Sequence, residues 1–141
     1  PDSAMSDAAS LEKNGDGFKI IVSSYQDEQR KRFAIAQELG HLFLHMGYKT
    51  NAEIWEKQAD KVPFQEKDPE KVRQANEFAA ALLMPRYIFF LTLEAASDIA
   101  ESGKRTIHMQ AVADFFNVSL SAAYTRAKIL GLSERAYYEM S

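Results

Sequence analysis

Near the start of the chain, hydrophobic residues first form a short run and then recur at helical spacing. These two patterns predict a strand followed by a helix. β-Branched and aromatic residues dominate positions 18–22, between Gly17 and Ser23, which is typical of a strand. Acidic residues at 27 and 28 predict a helix start, because negative side chains in the first turn suit the helix dipole. Apolar residues then recur at helical spacing, and Gly47 predicts the end of this helix.

The rest of the chain is predicted to be mostly helical. Residues 48–67 mix polar and apolar types and predict a loop with one short helical turn. Asp68 and Pro69 predict the next helix start, and Pro85 limits that helix. Three further helices are expected over residues 88–100, 107–116 and 119–130, with His108 at the surface or at a helix start. Five aromatic residues of this half are predicted core residues: Tyr87, Phe89, Phe90, Phe115 and Phe116.

These elements predict an α+β fold. A small antiparallel sheet is expected to pack on the helix that contains residues 37–41, with a mostly helical C-terminal half. A length of 141 residues suits one domain, and a single domain is predicted over residues 17–141. Residues 1–16 are small and polar and predict a poorly ordered tail, in which Pro1 to Ala4 precede a native start at Met5. A fragment of a longer protein is the alternative.

Charge and composition argue against several classes of function. A formal net charge of −3 gives no broad attraction to nucleic acid or to anionic membranes. No apolar run approaches the ~20 residues that cross a bilayer, and residues 1–16 lack a signal-peptide pattern. The absence of cysteine excludes a thiolate metal site and fits a reducing compartment. We therefore expect a cytoplasmic protein without direct nucleic-acid or membrane partners.

The candidate chemistry lies in residues 32–45. Residues four apart on a helix point the same way, so two histidines at that spacing can hold a zinc ion, with a glutamate after the first as general base. Glu38 and His41 occupy two of these three places, and Gln37 occupies the other. A carboxamide is a weak oxygen donor, so zinc affinity should fall steeply and Glu38 should lack an activated water.

The neighbouring residues have alternative interpretations. His41 and His45 are also four apart and could keep some metal affinity together with Gln37 or an acid from the loop. A packed or hydrogen-bonded His45 is the simpler interpretation. Glu38 could be a helix carboxylate satisfied by a nearby arginine or backbone group. Gly40 is unfavourable within a helix and suggests that another backbone approaches there, as a strand beside a cleft would.

Three sequence blocks resemble the ImmA/IrrE family of metallopeptidases. Residues 32–45 read Arg-Phe-Ala-Ile-Ala-Gln-Glu-Leu-Gly-His-Leu-Phe-Leu-His, which is similar to the family's zinc helix at every characteristic position except Gln37. Residues 75–85 read Ala-Asn-Glu-Phe-Ala-Ala-Ala-Leu-Leu-Met-Pro, which is similar to a second family block. Residues 112–132 are similar to the closing helices. In order, the resemblance covers residues 18 to 132.

The resemblance also implies a site and a role. It implies a third zinc ligand at Val72, with Gln74 as the neighbouring possibility, and neither residue is acidic. It implies zinc as a cofactor, weak or absent in this chain, and a bacterial or mobile-element origin. The implied role is to cleave or otherwise relieve a helix-turn-helix repressor. By analogy, the strand residues Ile20, Ile21 and Val22 would bind an extended peptide by strand addition.

Three functions are compatible with the sequence. The first is a degenerate peptidase that keeps partner binding, which the loss of two ligand positions favours. The second is an active zinc endopeptidase with a divergent or engineered ligand set, such as His41, His45 and one loop acid. The third is a non-enzymatic, antitoxin-like adaptor that acts through its helical C-terminal half.

Overall fold

The computed structural model describes residues 9–25 and 27–131, and the backbone of residues 138–140. The chain divides into a first unit that ends at Ala79 and a second unit that begins at Ala80. Helices and two small sheets make up the described residues, which confirms the predicted α+β class. The single domain expected over residues 17–141 stays a prediction.

The first unit begins with an antiparallel hairpin of two strands followed by three helices. The elements are β1 (Ala9–Asn14), β2 (Gly17–Val22), α1 (Glu28–Leu44), α2 (Ala52–Glu56) and α3 (Pro69–Leu83), whose last turn belongs to the second unit. The strands pair from Ala9 with Val22 to Asn14 with Gly17. Single bridges join Glu12 to Pro63 and Lys13 to Asp60 on β1. Strand β1 therefore lies between β2 and the segment 60–63.

Strand β1 corrects the expectation of a poorly ordered tail over residues 1–16, which is wrong for residues 9–14. Its sequence carries one large apolar residue, Leu11, so hydrophobic alternation gives little signal. The structure buries that side chain completely. Cross-strand pairing with β2 and this single buried leucine supply what the local sequence lacks.

The sheet packs on α1, as predicted. Buried Leu11 joins Leu42 and Met46 in a cluster to which Ile20 and Leu39 also contribute. Asp27 caps the helix by accepting a hydrogen bond from the Arg30 amide at 2.8 Å. The helix ends at Leu44, before Gly47, whose positive φ of +80° could not continue a helix.

The second unit contains three helices and a three-stranded sheet within the described residues. The elements are α4 (Arg86–Ala95), β3 (Ser97–Ile99), β4 (Arg105–Ile107), α5 (Met109–Phe116), α6 (Leu120–Ile129) and β5 (Tyr138–Met140). Strand β4 pairs antiparallel with β3 and parallel with β5. The helix predicted over 88–100 therefore ends five residues early, and the helix predicted from 107 begins at Met109.

Local hydrogen bonds explain why the predicted helix over 88–100 was too long. The Ser97 hydroxyl donates to the Glu94 carbonyl at 2.8 Å, which satisfies a carbonyl at the end of α4. The Ala100 amide donates to the Lys104 carbonyl at 2.8 Å, and Gly103 adopts a φ of +87°. This turn forms a β-hairpin, which single-residue helical propensity did not reveal.

The aromatic residues of the second unit divide between core and surface. Phe89 and Phe116 are buried as predicted, and Phe90 is partly buried against the same core. Tyr87 and Phe115 are 74% and 66% exposed, so the core prediction is wrong for both. Adjacent or alternate positions on a helix point in different directions, so the core side of each helix does not hold all of its aromatic residues.

His108 occupies the position before α5 and is exposed, as expected for a surface residue at a helix start. Its Nε2 atom lies 2.7 Å from the Asp98 Oδ2 atom. Among the residues that the structure describes, no single helix has the length and apolar character of a membrane span. The bent pair α3 and α4 has them only when the two helices are counted together.

Gly40 marks the closest approach between α1 and α3. A methyl carbon built on Gly40 would lie 3.1 Å from the Ala75 Cα atom and 3.1 Å from the Phe78 Cβ atom. The predicted approach of another backbone is therefore present, but the approaching backbone is a helix and not a strand. Glycine at position 40 allows α3 to come this close.

Substitution of Gly40 by alanine is expected to destabilise the protein. Alanine would stabilise an unhindered helix by about 1 kcal/mol relative to glycine, whereas overpacking at a close backbone contact costs about 1–3 kcal/mol. Urea unfolding should therefore give a lower free energy of unfolding for Gly40→Ala. The control is Gly17→Ala, whose added carbon would meet only the Asn14 carbonyl oxygen, at 3.8 Å. A Gly40→Ala variant as stable as the native chain would contradict the packing argument.

Candidate functional site

The candidate site forms along the face of α1 that turns toward α3. Gln37 and His41 are one helical turn apart, and His45 follows at the C-terminal end of the helix, where its amide still bonds to the His41 carbonyl. The contact at Gly40 brings the residues on either side of Ala75 to this face. All three α1 side chains are half-buried, so their polar atoms need hydrogen-bond partners.

Two hydrogen bonds cross from α1 to α3. The Gln37 side-chain nitrogen Nε2 donates to the Asn76 oxygen Oδ1. The His45 Nε2 atom lies 2.9 Å from the Gln74 oxygen Oε1. A carbonyl oxygen can only accept, so His45 donates through Nε2. Sequence reasoning named Gln74 only as a possible lost ligand, and it did not identify Asn76 as a site residue.

The two histidines also bond to each other. Their Nδ1 atoms are 2.9 Å apart, and their rings are 5.0 Å apart between centroids. If both imidazoles are neutral, His45 donates through Nε2 and accepts at Nδ1, and His41 is the donor through its own Nδ1. The contacts from His41 to His45 to Gln74 therefore need no charged group.

A loop residue, Glu66, acts electrostatically on His41 and was not named from the sequence. Its side chain is 16% exposed and accepts hydrogen bonds from the Lys67 and Asp68 amides at 3.1 and 3.3 Å. The Lys71 ammonium lies 3.8 Å away. The only sequence signal is an acid just before the helix start at Asp68. Many loop acids share this position without facing a site.

Burial lowers the pKa of His41 below its ordinary value, and His45 lowers it further, while the Glu66 carboxylate acts in the opposite direction. Phe64 contributes to the burial, with its ring centroid 5.5 Å from that of His41. Phe64 is fixed by its amide, which donates to the Leu11 carbonyl at 2.7 Å. The site environment thus favours the neutral form of the His41 imidazole.

Glu38 and Val72 occupy the other two positions of interest. Glu38 is half-buried on α1 and interacts with another group of the chain. Val72 lies on α3, one turn before Asn76, and is 38% exposed. A valine offers no lone pair, so the position that the resemblance assigns to a third ligand has no donor atom.

The nearest acids on α3 belong to a different cluster. Glu70 and Glu77 both pair with Arg73 on the exposed face of the helix. The hydrogen bond from Arg73 also holds the pKa of Glu70 below its usual range. These two carboxylates are therefore committed to an ion-pair network with Arg73.

The residues present do not fit a zinc ion. Zinc sites in proteins use imidazole, carboxylate or thiolate donors, whereas Gln37 and Asn76 are amides bonded to each other. Within residues 9–25 and 27–131, no three histidine, cysteine, aspartate or glutamate side chains are grouped so that they could hold a metal ion. The set of His41, His45 and Glu66 is not such a group.

The residues predicted to bind a peptide lie on β2. Ile20 packs into the cluster around Leu11, while Ile21 is 49% exposed and Val22 is half-buried. One edge of β2 pairs with β1, and no other described strand pairs with β2. The ring contacts of His41 come from His45 and from Phe64, beyond the other edge of β1. The peptide-binding role of β2 stays a prediction.

Comparison with protein-family models covers most of the chain. The peptidase family model described as the IrrE N-terminal-like domain matches residues 5–128. This range contains every residue of the candidate site. A search of curated proteins gives no match.

The lowered pKa of His41 predicts a loss of stability in mild acid. The unfolded chain binds a proton at this histidine near pH 6.5, and the folded chain binds it only at lower pH. The free energy of unfolding should therefore fall as pH decreases below about 6.5 and level off below the folded pKa. Urea unfolding at pH 7.5, 6.5 and 5.5 measures this. A His41→Gln variant should show a flatter dependence, and equal slopes would contradict the prediction.

Proposed function

The chain belongs to the peptidase family of the IrrE N-terminal-like domain, and from that premise we propose that it is a catalytically impaired member that binds a protein partner. The observation that carries the proposal is the Gln37 amide, which is bonded to Asn76 at the position of the first ligand. Val72 adds a second position without a donor. Glu38, the general base implied by the resemblance, is then left without a metal-activated water.

The proposed partner is a helix-turn-helix repressor of the same bacterial genome or mobile element, met in the cytoplasm. The resemblance supports this choice of partner. Loss of the metal ligands favours sequestration of the repressor over its cleavage. This transfer from family to chain is an analogy, because a shared fold does not by itself confer a shared activity.

Strand β2 supports a way to hold such a partner. Its outer edge forms no ladder with another described strand, and unpaired backbone groups on a strand edge can accept an extended peptide. Ile21 exposes about half of its side chain beside that edge. A peptide added along β2 would extend the hairpin by one strand and cover this isoleucine.

Two alternatives remain as distinct candidate functions. An active enzyme would use a divergent ligand set, and Glu66 is the loop acid whose charge acts on His41. Against this alternative, the described histidine and acidic residues form no group of three that could hold a metal ion. A non-enzymatic adaptor would act through the helical second unit, where Tyr87 and Leu91 expose an apolar face of α4. The two experiments below separate these alternatives from the main proposal.

Restoring both ligand positions should restore zinc binding. The double variant Gln37→His with Val72→Glu supplies the imidazole and carboxylate that the site lacks, and it is expected to retain about one zinc per chain after dialysis. The native chain and each single variant should retain much less than one. Metal content is measured by atomic emission, and cleavage of the repressor is followed in the same samples. Glu38→Gln in the restored background is the control for activity. Stoichiometric zinc in the native chain would support the active alternative.

A charge on the exposed side chain of β2 should weaken partner binding. Ile21→Glu is expected to weaken binding of the repressor at least about tenfold, because burying an unpaired carboxylate against an added strand costs more than about 1.4 kcal/mol. The matched control is Ile129→Glu, an isoleucine of the second unit that is 55% exposed. Calorimetric titration measures the affinity of both variants for the repressor. If Ile21→Glu binds the repressor as the native chain does and Ile129→Glu no longer binds it, the result would favour the adaptor alternative.

A further inference from the structure

Hydrogen bonds join α1 to α3 close to the positions from which a metal ion would join the two helices. The resemblance places zinc ligands on α1, at Gln37 and His41, and on α3, at Val72. A metal held by two helices cross-links them, and its binding energy then contributes to folding. In this chain, the bond from Gln37 to Asn76 and the bond from His45 to Gln74 join the same two helices.

The two crossing bonds are well separated on the α1 side only. Gln37 and His45 are eight residues apart, which is about 12 Å along a helix axis, whereas their partners Asn76 and Gln74 are two residues apart on α3. Two bonds placed in this way resist a rotation of α1 about its contact with α3. Between them, the contact at Gly40 fixes the distance between the axes, because a methyl carbon at that position would lie 3.2 Å from the Ala75 carbonyl oxygen.

The network is also complete without a metal. The Gln37 amide donates to Asn76, His41 donates to His45, and His45 donates to Gln74. None of these three hydrogen bonds needs a charged donor or acceptor. Within the described residues, no buried side-chain nitrogen or oxygen lacks a hydrogen-bond partner. A dication at this position would need at least one anionic or additional imidazole ligand, and it would break the bond between Gln37 and Asn76.

We propose that these five residues, Gln37, His41, His45, Gln74 and Asn76, form a metal-independent clamp that has replaced zinc as the cross-link between α1 and α3. The clamp holds the first unit in its folded form whether or not zinc is present. This inference concerns the stability of the unit, so it stands or falls independently of the repressor binding proposed above.

The first test is thermal unfolding of the full chain with excess zinc and with a chelator. The melting temperature of the native chain should agree within about 1 °C in the two conditions. The double variant Gln37→His with Val72→Glu shows that the method detects a metal cross-link, because its melting temperature should fall by several degrees in the chelator. A lower melting temperature of the native chain in the chelator would overturn the proposal.

The second test is a double-mutant cycle across the clamp. Gln37→Ala and Asn76→Ala should each lower the melting temperature by about 2–4 °C, as expected for loss of one hydrogen bond in a domain of this size. The melting temperature of the double variant should be no lower than that of the less stable single variant, because both substitutions remove the same bond. If the decreases in melting temperature of the two single variants add up in the double variant, the proposal is contradicted.

Two further variants keep this test independent of general damage. Asn76→Asp retains an acceptor for the Gln37 amide and should melt within about 1 °C of the native chain. Gln65→Ala removes an exposed glutamine of the preceding loop and should have no effect. If Asn76→Asp lowers the melting temperature as much as Asn76→Ala does, the acceptor at position 76 does not stabilise the fold.

Discussion

The close contact of α1 with α3 at Gly40 is the constraint on which the candidate site depends. A side chain at position 40 would lie about 3 Å from the backbone of Ala75 and would push the helices apart. With glycine there, the side chains of Gln74 and Asn76 reach those of His45 and Gln37 directly. The hydrogen-bond network is therefore a consequence of backbone packing, and it would weaken if the helices separated by even about one ångström.

The chemistry of the site follows from the amide and imidazole groups of that network. These groups bond to each other without needing a charged partner, at half-buried positions on α1 and at Gln74, while Asn76 is exposed. Burial lowers the pKa of the His41 imidazole. The Glu66 carboxylate is held by backbone amides and by Lys71 beside this network. These contacts satisfy polar side chains of the candidate site in a chain of the IrrE N-terminal-like peptidase family.

The second unit shows a different relation between sequence and structure. Its core is strongly apolar, with Phe89, Val112 and Phe116 among the buried residues, so helices α5 and α6 were predicted nearly to their observed ends. The short strands β3 and β4 were missed because each has three residues and little hydrophobic alternation. Such strands are specified mainly by the hydrogen bonds of the hairpin turn between them.

The sequence by itself determined the family, the α+β class, the helix that carries Gln37, Glu38 and His41, and the residue types at positions 37 and 72, an amide and a valine. These features depend on residue type and helical periodicity, which are local properties. Only the tertiary structure decided that strand β1 forms, that α3 is the backbone that approaches Gly40, and that Glu66 lies near enough to His41 to act on its pKa. It also identified Asn76 and Gln74 as the partners of Gln37 and His45. Those outcomes depend on which distant residues meet in space, and a glutamine or an asparagine bonds equally well to water when no partner is near.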